Sequence, residues 1–87
     1  MDIFLYMTGR LPCGIDELED ALDSALGDQG EVTGTGTGQA GSNIDIFIEE
    51  GGLSKEQALL LIRQALADYG LSSATKIVID GSEHPLA

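Results

Sequence analysis

Residues 31–42, EVTGTGTGQAGS, admit two readings, and the choice between them decides the fold. Gly36, Gly38 and Gly41 have the GxGxxG spacing that cradles dinucleotide phosphates in a strand-turn-helix unit. Thr33, Thr35 and Thr37 also alternate with Gly34, Gly36 and Gly38, the period of two that a strand imposes on its faces. A phosphate site needs a helix to open directly after the glycines, because the anion sits on that helix's free amides. The chain continues instead as SNIDIFIEE, residues 42–50, an alternating apolar stretch with no helical period. The segment therefore reads as two strands joined by a Gly-rich hairpin around residues 38–41.

Working outward, DIFLYMT at residues 2–8 is rich in β-branched and aromatic residues and ends at Gly9, the pattern of a strand. From Ile15 to Leu26 the apolar residues Ile15, Leu18, Leu22, Ala25 and Leu26 draw one stripe down a helix, with Gly27 at its end. Ser54 and Gln57 have capping-box spacing and open a second helix that runs to about Tyr69, its inner stripe Ala58, Ile62, Ala65, Leu66 and Tyr69, with Gly70 as an αL stop. ATKIVID, residues 74–80, is a fourth strand. Residues 1–80 thus form a single domain, and GSEHPLA, residues 81–87, is expected to be a flexible C-terminal tail.

The order β-α-β-β-α-β predicts an α+β, ferredoxin-like plait: a four-stranded antiparallel sheet of order 4-1-3-2 with two helices on one face. A hairpin centred near residues 38–41 sets Thr33 beside Phe47, Thr35 beside Asp45, Gly34 beside Ile46 and Gly36 beside Ile44. Isoleucines and glycines then point to the helices together. The opposite face receives Phe4, Tyr6 and Thr8, with Asp45, Phe47, Glu49 and the threonine row. Three of the four aromatics of the chain are expected on that uncovered face, and a contiguous exposed apolar patch marks a contact surface. The alternatives for its cover are a second copy of the chain, a protein partner or the tail.

The first helix carries Asp16, Glu17, Glu19, Asp20 and Asp23 outward with no Lys or Arg among them. Five like-charged pairs lie three or four residues apart, and at ~0.2 to 0.5 kcal/mol each they cost the isolated helix about 1 to 2.5 kcal/mol before salt screening. Asp16, Glu19, Asp20 and Asp23 are therefore either a solvated face or a surface complementary to a basic partner. The whole chain has the same bias. Fifteen acids against four bases give a formal net charge of −11, which opposes contact with phosphate backbones and favours encounter with a positive protein surface. Nucleic acid is excluded as a partner on this ground.

No enzyme class, cofactor or metal is supported by the pattern. The carboxylates lack an EF-hand spacing and the Glu-x-x-His pairs of di-iron helices. A Cys13–His84 nucleophile needs fixed geometry and an orienting third group, and His84 lies beside Pro85 in the expected tail. One cysteine forms no intrachain disulfide, and no apolar stretch reaches the ~18 residues of a membrane span. A cytoplasmic protein with no membrane association is expected.

The run EVTGTGTGQAGSNIDIFIE, residues 31–49, between two amphipathic helices resembles that of small bacterial ferredoxin-like proteins, and more loosely that of acidic immunity proteins encoded with secreted toxins. The resemblance implies a non-enzymatic inhibitor that occludes a basic toxin. The alternative is a self-associating or ligand-sensing domain that forms a homodimer through the Phe4, Tyr6 and Phe47 face.

Overall fold

A computed structural model describes residues 1–38 and 40–86; Gln39 in the hairpin loop and Ala87 at the end of the expected tail lie outside the described residues. The elements are β1 (Asp2–Thr8), α1 (Ile15–Leu26), β2 (Gly30–Thr37), β3 (Gly41–Ile48), α2 (Lys55–Leu66), β4 (Lys76–Ile79) and β5 (Ser82–Pro85), with a 3₁₀ turn after each helix. The fold is α+β, with one antiparallel sheet in the order β2-β3-β1-β4-β5.

Each helix begins where its sequence signals it. The Ser54 hydroxyl accepts from the Gln57 amide at 3.2 Å while the Ser54 amide donates to Gln57 Oε1 at 3.0 Å, so two otherwise unpaired donors are satisfied reciprocally. At α1 the Gly14 amide donates to Glu17 Oε2 at 2.9 Å, and one acid of the outward row thereby serves its own helix terminus. Gly70 ends the second helical segment in the left-handed region, at φ 69°. The inner stripes Leu18, Leu22, Leu26 and Ala58, Leu59, Ile62, Leu66 meet Ile3, Leu5 and Met7 of β1, Ile44, Ile46 and Ile48 of β3, and Ile77 and Ile79 of β4. These side chains are all buried and form the one core between helices and sheet.

Two expectations are corrected. The four-stranded sheet of order 4-1-3-2 becomes a five-stranded one, because residues 82–85, expected in a flexible tail, pair with β4. The cause is local: Asp80 (φ 47°) and Gly81 (φ 86°) both sit at positive φ, the backbone of a two-residue hairpin turn whose twist matches that of the flanking strands. Arg63 of α2 then holds the new edge, its Nη2 donating to the Pro85 carbonyl at 2.8 Å.

The second correction concerns the glycines. Val32 lies opposite Ile46 but Gly34 lies opposite Asp45, so Thr33 is an extra residue, a β-bulge. Beyond it the parity is the reverse of that expected: Thr35 is opposite Ile44, Gly36 opposite Asn43 and Thr37 opposite Ser42. Gly34 and Gly36 therefore stand on the open face, and Thr35 and Thr37 on the helix side, still exposed. The bulge satisfies two demands at once. It keeps Val32 inward against the core and places residues without side chains under Asn43 and Asp45. A Cβ on Gly36 would lie only 2.7 Å from Asn43 Oδ1. The Thr33 hydroxyl donates to the Asp45 carbonyl at 3.3 Å beside the interruption.

Candidate partner-binding surface

Alternation along the strands and their register lay out the sheet face turned away from the helices. From β1 it takes Asp2, Phe4 and Tyr6, and from β3 it takes Phe47, Asp45 and Asn43, opposite them in that order. On one side β4 adds Val78 beside Phe4 and Lys76 beside Tyr6, and β5 adds Glu83 beside Val78. On the other side β2 adds Glu31 beside Phe47 and Gly34 beside Asp45. The structure thus brings together Phe4, Tyr6, Asp45 and Phe47, four of the residues singled out in the sequence. Thr35 and Thr37, expected there, are turned away by the bulge at Thr33.

The face is open, with Phe4 half-buried beside Tyr6 and Phe47 set opposite Asp2 at the neighbouring register position. Phe4 and Tyr6 stack with ring centroids 6.4 Å apart and planes 29° from parallel. Tyr6 is 47% exposed and Phe47 38%. The described tail does not fold over the rings: residues 82–85 run along the edge as β5, and Leu86 packs against the core. Carboxylates border the strip on every strand but β4: Asp2, Asp45, Glu31 and Glu83. Asp45 is held by the Asn43 side chain, whose Nδ2 donates to Oδ1 at 3.2 Å, while Oδ2 lies above Gly34. The single cation of the face, Lys76, is 3.6 Å from Glu83 and exposed, an ion pair worth about 0 to 1 kcal/mol.

Phe47 has a further feature. It forms one wall of a cavity of about 280 Å³ that Asp28, Glu31 and Glu49 also line, with Gly27, Gln29 and Gly30 completing it. Three carboxylates and an aromatic ring thus share one recess at the junction of α1, β2 and β3.

Asp16, Glu19, Asp20 and Asp23 stand elsewhere, on α1, with the sheet between them and the aromatic strip. Asp23 has a structural task, since its Oδ1 is 3.4 Å from the Val32 amide on the free edge of β2. It screens part of that edge from strand addition. Cys13 precedes α1, where burial and the nearby Glu17 and Asp16 carboxylates push its thiol above the usual cysteine range. His84 lies in β5 opposite Ile77, and its Nε2, like the Thr75 hydroxyl, is buried with no hydrogen-bond partner among the described residues. Among those residues no three His, Cys, Asp or Glu side chains are grouped to hold a metal, and no helix is long and apolar enough to cross a membrane.

Glu83 escaped the sequence reading because β5 did, although the Asp-Gly pair after IVI is a hairpin signal. The Phe47 recess depends on the bulge, which sets Glu31 beside Phe47 and for which the sequence carries no local mark. Comparison with protein-family models, with curated proteins and with solved structures finds no match to this chain.

Proposed function

We propose that this chain is a non-enzymatic acidic protein-binding domain, a ferredoxin-like plait with one added edge strand, that engages a basic protein through its open sheet face. The observation that carries the reading is the open sheet face on which Tyr6 and Phe47 are exposed and Phe4 is half-buried, bordered by Asp2, Glu31, Asp45 and Glu83. Apolar rings supply contact area, and carboxylates of one sign around them select a positive partner and accelerate encounter. An inhibitor that covers the active site of a basic toxin is one protein of this kind. A second copy of the chain is a poorer occupant, because the same four carboxylates would face one another and like charges across an interface are costly.

The test is a two-component measurement. A partner is isolated from the source cell, purified, and its association rate measured at low and high salt against wild type and the Phe4→Ser/Tyr6→Ser double variant. The reading expects a partner of basic isoelectric point, a rate that falls as salt rises, and loss of binding in the double variant. An acidic partner, or full binding by that variant, refutes it.

A further inference from the structure

Resting on that reading, we infer that the recess beside Phe47 receives an arginine side chain of the basic partner, the ring taking the guanidinium on its face and Glu31 and Glu49 accepting its hydrogen bonds. Among the described residues no element covers the open sheet face, and its edge at β2 adjoins this recess. A volume of about 280 Å³ accommodates one long side chain and is too small for a folded element. The recess combines the two groups that a guanidinium uses, an aromatic face to stack on and carboxylates that match its planar fork of donors.

An ammonium fits less well. It is a compact, strongly hydrated point charge, and among the described residues no three carboxylates are gathered on one point to hold it. A phosphate, a carboxylate or an acidic peptide is repelled by Asp28, Glu31 and Glu49 together. An apolar side chain would strip water from the same three carboxylates without pairing them. Close packing fixes Glu31 at the recess: Gly30 packs against Ile48 and Leu26, and a Cβ on Gly30 would come within 3.1 Å of Ile48. A larger residue would push the strand away from the core and move Glu31.

Deca-arginine, deca-lysine and deca-citrulline peptides, titrated into the isotope-labelled protein and followed by amide and aromatic NMR shifts, test the inference. The expected result is that both cationic peptides perturb the open face, around Phe4 and Tyr6, while only deca-arginine shifts the Phe47 ring and the Glu31 and Glu49 amides. Citrulline, which keeps the shape and loses the charge, leaves the recess unperturbed. Phe47→Leu and Glu31→Gln, both exposed substitutions that leave the core untouched, each weaken deca-arginine binding about two- to fivefold. If deca-lysine engages Phe47 as strongly as deca-arginine, or if neither variant weakens binding at the open face, the arginine site is overturned while the protein-binding reading stands. If both cationic peptides collect on α1 and leave the open face unperturbed, both readings fall.

Discussion

Replacing Gly41 by alanine is expected to destabilise the protein markedly, whereas the same change at Gly36 is not, although both added methyl groups meet an oxygen at close range. Gly41 opens β3 opposite Thr8, and a Cβ built there lies 2.5 Å from the Met7 carbonyl oxygen and 3.5 Å from its carbon. These are backbone atoms of β1, paired there with β3 through Met7 and Ser42, and the Met7 side chain is buried in the core. The clash is relieved only by displacing a paired strand, a form of overpacking that costs about 1 to 3 kcal/mol. An 87-residue domain has a total stability of about 4 to 13 kcal/mol, so this is a large fraction of it. At about 4 to 8 °C per kcal/mol, a clash cost of about 2 kcal/mol, less the roughly 0.5 to 1 kcal/mol that alanine returns in a strand, lowers Tm by about 4 to 12 °C. At Gly36 the obstacle is Asn43 Oδ1, 2.7 Å away, the end of a side chain that can rotate. Its movement gives up the Asn43–Asp45 hydrogen bond, about 0.5 to 1.5 kcal/mol. Alanine in place of glycine within a strand returns about 0.5 to 1 kcal/mol, and the net effect is near zero. Urea unfolding followed by circular dichroism measures both variants. If Gly41→Ala unfolds at the same urea concentration as Gly36→Ala, the β1–β3 register and the reasoning built on it are wrong.

Ser54→Ala removes the hydroxyl that caps α2 and is expected to cost about 1 kcal/mol in thermal unfolding; an unchanged Tm would mean that Gln57 alone maintains the terminus. Asp20→Lys turns three repulsions, with Asp16, Glu17 and Asp23, into attractions, and is expected to stabilise α1 by about 1.2 to 3 kcal/mol at low salt and by much less at high salt. A further Asp23→Lys should add nothing, because it removes the carboxylate at the Val32 amide; additive gains in a melting series would contradict that role. The Cys13 thiol, held above its ordinary pKa by burial and then by Glu17 and Asp16, is expected to react with iodoacetamide at pH 8.5 more slowly than an unstructured cysteine peptide. Asp16→Asn should accelerate it, and equal rates for wild type and peptide would refute the assignment.

Both helices were legible in the sequence because their signals are local: an apolar stripe at helical spacing, Ser54 three residues before Gln57, and glycine at Gly70 where the backbone turns left-handed. The inward faces of β1, β3 and β4 were legible for the same reason, since alternating isoleucines declare a face without reference to a neighbour. These local signals were enough for the α+β class and for the placement of Phe4, Tyr6 and Phe47 on the open side, where Tyr6 and Phe47 are exposed and Phe4 half-buried.

The sequence could not determine how β2 meets β3. Its Thr/Gly alternation marks a strand but gives neither face an apolar preference beyond Val32, so the pairing is decided by what lies across from it. Val32 is drawn to Ile46, Asn43 and Asp45 need room above Gly36 and Gly34, and only the bulge at Thr33 meets both conditions. That single extra residue reverses the glycine and threonine faces. It also decides that Asp45 lies over a bare backbone. The edge strand β5 is tertiary in the same sense: SEHP has no strand pattern of its own, and it becomes one because β4 offers unpaired backbone groups, a two-residue turn returns the chain to them, and Arg63 reaches down from α2 to the Pro85 carbonyl.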